Sequence, residues 1–104
     1  MLTRNLTAPH TTAQARAADR LAAAGYGITF LDGGHGQRSL LAAHPYEAST
    51  LVGQAMRGAP LARERHWVLL RWQDGRFYDA EVNYDMGGGG MYRSIRAALE
   101  EVVW

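Results

Sequence analysis

The chain has 104 residues, 47% of them hydrophobic and 20% charged, with a formal net charge of +1 at pH 7. This is the composition of one ordinary globular domain, large enough to close a single core and too apolar to stay disordered. It gives no electrostatic case for a nucleic-acid or membrane partner, which would need clustered positive charge. The absence of cysteine excludes disulfides, thiolate metal sites and thiol catalysis.

All eleven basic residues are arginine. Arginine suits bidentate recognition of carboxylates and phosphates, and an arginine-only complement equally fits codon bias in a GC-rich genome. No apolar run reaches the length of a membrane span. The first residues contain no hydrophobic leader segment. The expectation is a soluble cytoplasmic protein.

Residues 1–10 read as a loose lead-in. Thr11 and Gln14 stand at capping-box spacing, and Gly25 follows an Ala-rich run, which predicts a helix over 11–24. Its apolar stripe is thin, with Ala17, Leu21 and Ala24. Residues 26–31 alternate and are β-rich, which predicts a strand. Asp32-Gly33-Gly34-His35-Gly36 reads as a turn or loop. Asp32 and His35 could join His44 or His66 around an ion, but no ligand pattern supports this, so neither a metal nor a cofactor is expected. Residues 37–43 read as a short helical turn. Pro45 at a first helical position and Gly58 as a stop predict a helix over 45–57.

Residues 66–83 carry the strongest signal. Two β-rich runs flank Asp74-Gly75, the pair that a type I′ hairpin turn favours. A two-residue turn would set Gln73 opposite Arg76, Leu70 opposite Asp79, Val68 opposite Glu81 and His66 opposite Asn83. One face would carry His66, Val68, Leu70, Trp72, Phe77, Asp79, Glu81 and Asn83, and the other Trp67, Leu69, Arg71, Gln73, Arg76, Tyr78, Ala80 and Val82. Neither face is purely apolar, which leaves room for a one-residue bulge.

This hairpin resembles the His-containing hairpin of papain-like cysteine proteases of the Josephin type. The likeness rests on His66-Trp67-Val68, Leu70-Arg71 and Asp74-Gly75-Arg76-Phe77-Tyr78-Asp79-Ala80-Glu81. It implies that His66 matches the catalytic histidine and that Glu81 or Asn83 matches the residue orienting its ring. The chain lacks the family's nucleophilic cysteine; Ser39 or another hydroxyl would need a strong local base to replace it.

After Asn83 come Tyr84-Asp85-Met86 and four glycines, 87–90. The apolar spacing of Ile95, Ala98, Leu99, Val102 and Val103 predicts a last helix over 92–103. Strand, glycines, helix is an order that can cradle phosphate, through Gly88, Gly89 and Arg93, although no phosphate-loop fingerprint is present. The plainer expectation is a hinge.

The predicted fold is α+β: a small antiparallel sheet built on the 66–83 hairpin and strand 26–31, with three helices on one face. Without a nucleophile, and with Trp67, Arg71, Arg76 and Tyr78 on one hairpin face, the leading expectation is a non-catalytic protein-binding module. Its partner would be another protein or a second copy of the chain. Small size and sparse motifs fit an inhibitor or accessory protein of a phage or other mobile element. The alternatives are a papain-like hydrolase or transferase using His66 with Glu81 or Asn83, and a phosphate or nucleotide binder through residues 86–96.

Overall fold

The computed structural model describes residues 3–5, 11–63, 65–84 and 89–102, with no side-chain description for residues 3–5 and 45–49. Among these residues six strands form one antiparallel sheet in sequence order. They are β1 (Thr3–Asn5), β2 (Gly27–Gly34), β3 (Gln37–Ala43), β4 (Trp67–Gln73), β5 (Arg76–Asn83) and β6 (Gly89–Tyr92). Three helices accompany them: α1 (Thr12–Ala23), α2 (Pro45–Met56) and α3 (Ile95–Val102). The fold is α+β, as the sequence predicts.

Local chemistry explains the element ends. The Thr11 hydroxyl accepts the backbone N–H of Gln14 at 3.2 Å and caps α1. Pro45 opens α2, where its missing N–H costs nothing. Two turns have positive φ at both central residues: His35 and Gly36 join β2 to β3, and Asp74 and Gly75 join β4 to β5. They sit side by side, with the Asp74 N–H donating to Gly36 O at 2.9 Å.

Two expectations are corrected. Residues 37–43 form strand β3, paired with β2 on one side and β4 on the other. Helices pack on both faces of the sheet, not on one. α1 and α3 lie over Leu40, Ala42, Val68, Leu70, Ala80 and Val82. α2 lies over Leu31, Leu41, Ala43 and Trp67 on the reverse face. The second correction accounts for the first. A strand covered on both faces buries Leu40, Leu41, Ala42 and Ala43 in succession, so it shows no alternation.

Two short edge strands were not foreseen. β1 falls within the expected lead-in and pairs with β2 through Thr3↔Asp32 and Asn5↔Phe30. β6 takes in the last two glycines of the expected hinge and pairs with β5 through Val82↔Gly90 and Asn83↔Gly89. Residues 85–88, including Gly88 of the phosphate reading, lie outside the described residues.

The central hairpin forms with a one-residue bulge. Gln73 pairs with Arg76 as expected and Trp72 with Phe77, but Arg71 pairs with Asp79, leaving Tyr78 as the extra residue. Beyond the bulge the pairs are Leu70↔Ala80, Val68↔Val82 and Trp67↔Asn83, so three of the four expected pairings are displaced by one. The reason is hydrophobic. The shift takes Asp79, Glu81 and Asn83 out of the face holding Val68, Leu70 and Trp72 and replaces them with Ala80 and Val82, both buried. Burying Val82 contributes on the order of 1.5–3 kcal/mol, and the shift also spares the core three polar or charged side chains whose burial without partners would cost more.

Candidate functional site

Two constellations stand out, one on each face of the sheet. The first is the part of the reverse face that α2 leaves uncovered. α2 and the connector that follows it cover Trp67, Leu41 and Ala43, with Leu69 at the margin. Further along β3 and β4, and across β5, lie Gln37, Ser39, Arg71, Gln73, Tyr78 and Asp79. These residues line an open concavity of about 530 Å³.

The centre of this surface is an ion pair. Arg71 donates from Nε to Asp79 Oδ1 at 2.5 Å and from Nη2 to Asp79 Oδ2 at 2.7 Å. The fork is bidentate because the bulge sets the two residues directly opposite each other. The carboxylate raises the pKa of Arg71 above its ordinary value, chiefly through this hydrogen bonding. Beside the pair, Tyr78 stands 69% exposed. Met91 of β6 pairs with Glu81, which places it on the same face, and it is 56% exposed. These are the two exposed large hydrophobic side chains among the described residues.

Along the same face, Arg63 Nη1 donates to Glu81 Oε2 at 2.5 Å, and its guanidinium lies 5.4 Å from the centre of the Trp67 ring. Asn83 is buried and acts as a clasp. Its amide nitrogen donates to Arg63 O at 2.9 Å and Arg65 O at 2.7 Å, pinning the chain that enters β4. The Trp67 indole adds a bond to Ala62 O at 3.0 Å.

The second constellation is a row of four rings at one end of the opposite face. One residue beyond the paired positions Gly27, Ala43, Trp67 and Asn83 stand Tyr26, His44, His66 and Tyr84, one flanking each of four adjacent strands. Their side chains continue the alternation that puts Ala42, Val68 and Val82 under α1 and α3. The rings of Tyr26, His44 and His66 form a triangle with centres 5.5–6.0 Å apart, and the Tyr84 ring stands 5.5 Å from that of His66. The Tyr26 hydroxyl and His66 Nε2 are 2.5 Å apart. Tyr84 donates to Glu101 Oε1 of α3 at 2.6 Å. Burial raises the phenol pKa of Tyr26. Burial and the Glu101 hydrogen bond raise that of Tyr84 further. Tyr92 is raised in the same way, by burial and then by Glu101.

The site residues foreseen from the sequence are thus dispersed. His66 lies in the ring row, whereas Glu81 and Asn83 project from the reverse face and engage Arg63 and the backbone before β4. Ser39, opposite Arg71, is also on the reverse face. Of the expected binding residues, Arg71 and Tyr78 share the uncovered surface, and Arg76 is exposed at the hairpin tip. Trp67 is only 1% exposed, because α2 covers it; it is a core residue and not a contact residue. Gly89 and Gly90 belong to β6, and the hydroxyl of Ser94 accepts the Ala97 N–H at the start of α3. Arg93 is exposed at the same junction. Asp32 accepts from Gly34 N and pairs with Arg38, at the opposite end of the sheet from His44 and His66. Among the described residues, no three His, Asp or Glu side chains are grouped to hold a metal ion. No described helix is long and apolar enough to cross a membrane.

Sequence reasoning missed the ring row, although parity could have found it. Tyr26, His44, His66 and Tyr84 each flank a β-rich run, but the row emerges only once 37–43 is read as a strand. No protein-family model, curated protein or solved structure matches the chain.

Proposed function

We propose that this chain is a non-catalytic protein-binding module whose contact surface is the uncovered part of the reverse sheet face. The observation that carries the reading is the position of Tyr78 and Met91. Both stand on the face that α2 leaves bare, on the same side as Arg71. Tyr and Arg are the residue types that binding surfaces concentrate, and a rim of amides and ion pairs is their usual surround. An inhibitor or accessory role is one form such a module takes.

The test is affinity capture from host lysate supplemented with untagged copies of the chain, using wild type, Tyr78→Ala and the distant control Arg16→Ala. A stoichiometric protein retained by wild type and the control, and lost with Tyr78→Ala, supports the reading. Equal retention by all three overturns it.

One observation favours a second reading. The 2.5 Å approach of Tyr26 to His66 Nε2 gives His66 a polar partner of the kind that acid–base catalysis uses. In that reading Tyr26, not Glu81 or Asn83, orients the ring. A hydrolase substrate panel run on wild type, Tyr26→Phe and His66→Gln tests it; turnover unaffected by either substitution removes it.

A further inference from the structure

The uncovered face carries a charge pattern that selects its occupant. Arg71 lies on β4, and Arg63 of the connector before it holds its guanidinium over Trp67 at the start of that strand; Asp79 and Glu81 lie beside them along β5. The face is therefore a basic column next to a parallel acidic column. A two-fold axis running along the strands between the columns would bring each basic column onto the acidic column of another copy. The same patch then serves both partners, as an isologous interface requires. A partner of uniform charge would meet attraction from one column and repulsion from the other.

We propose, on the reading that this face binds protein, that its occupant is a second copy of the chain. The two copies dock face to face, with Arg71 of each chain lying over Asp79 of the other. Each carboxylate then accepts from two guanidinium groups, its own and its partner's, which the three N–H donors of Arg71 not engaged in the fork permit. Tyr78, on the bulge beside the pair, becomes covered at the centre of the contact.

Sedimentation velocity on charge-exchanged full-length chains tests this. Wild type should show a concentration-dependent monomer–dimer equilibrium. Arg71→Asp carries two acidic columns at this level and Asp79→Arg two basic ones, so each alone should be monomeric at concentrations where wild type is half dimeric. An equimolar mixture of the two should restore the dimer. Should either single variant fail to fold, the double variant Arg71→Asp/Asp79→Arg keeps its internal ion pair. It should dimerise with itself and fail to mix with wild type, because like charges then face each other. A wild type that stays monomeric to millimolar concentration overturns the proposal, as do single variants that dimerise like wild type or a double variant that mixes freely with it. A monomeric wild type that captures a different protein, lost with Tyr78→Ala, overturns the second-copy proposal and leaves the binding reading standing; a monomeric wild type that captures nothing through Tyr78 overturns both.

Discussion

Arg71 and Asp79 hold each other through two hydrogen bonds of 2.5 and 2.7 Å across β4 and β5, and they meet because Tyr78 is the odd residue of a bulge between them. A regular hairpin from the same turn would have paired Asp79 with Leu70 and turned three polar side chains toward α1 and α3. The bulge therefore does two things at once: it makes the inner face apolar and gathers the charged residues on the outer one.

The backbone and the side chain of Tyr78 play separate parts. Tyr78→Ala removes an exposed ring and should change stability by no more than about 0.5 kcal/mol. Deleting residue 78 closes the bulge into a regular hairpin in which Asp79 follows Phe77 and still faces Arg71, so Ala80 and Val82 stay on the inner face and the chain should keep its cooperative unfolding transition. Urea denaturation of the two variants checks both outcomes.

Trp67 is the opposite case, a residue the sequence offered as a contact that the fold buries. Trp67→Ala should cost about 3–5 kcal/mol, as large-to-small changes in a packed core do. A loss below about 1 kcal/mol in the same denaturation assay would show that α2 does not cover it.

The Asn83 clasp gives a prediction about polar burial. Asn83→Ala leaves the carbonyls of Arg63 and Arg65 without their side-chain donor and should cost about 1–3 kcal/mol. Amide exchange should accelerate first at the start of β4, which the clasp pins.

Two neighbouring glycines should behave differently. Gly89 has φ +138°, and a Cβ there would collide with the backbone oxygen of Val82. Gly90 has open space around it, with the Tyr92 ring at ordinary contact distance. Gly89→Ala should unpair β6 and expose the outer amides of β5 to exchange, whereas Gly90→Ala should leave that protection in place.

Three partly buried phenols fix the sign of the alkaline response. Tyr26, Tyr84 and Tyr92 have folded-state pKa values above the ordinary value of about 10. The unfolded chain therefore loses these protons first. The stabilisation is fully present below about pH 10 and is lost as pH rises beyond it. Denaturation at increasing alkaline pH should show this fall, and Tyr84→Phe should make it shallower.

The local elements were legible where chemistry is local. Thr11 and Gln14 marked the start of α1, Pro45 that of α2, and Asp74-Gly75 the hairpin turn. What escaped was set by tertiary cover. Leu40 to Ala43 look like neither a helix nor an alternating strand until a helix is known to lie on each side. The hairpin faces could not be assigned from turn geometry, because the hydrophobic gain from burying Ala80 and Val82 outweighs a regular register. Gly89 and Gly90 read as a hinge because glycine also serves where two backbones approach closely. The pairing of His66 with Tyr26 depends on β2, β3 and β4 ending at one level, which no single stretch of sequence records.

The most direct measurement is a concentration series of amide correlation spectra on the wild-type chain. The account predicts shifts at residues 37–39, 69–73 and 78–81 as concentration rises, with the amides of α1 and α3 unmoved. Shifts confined to the α1 and α3 side, or none up to millimolar concentration, would contradict the docking of two copies through the uncovered face.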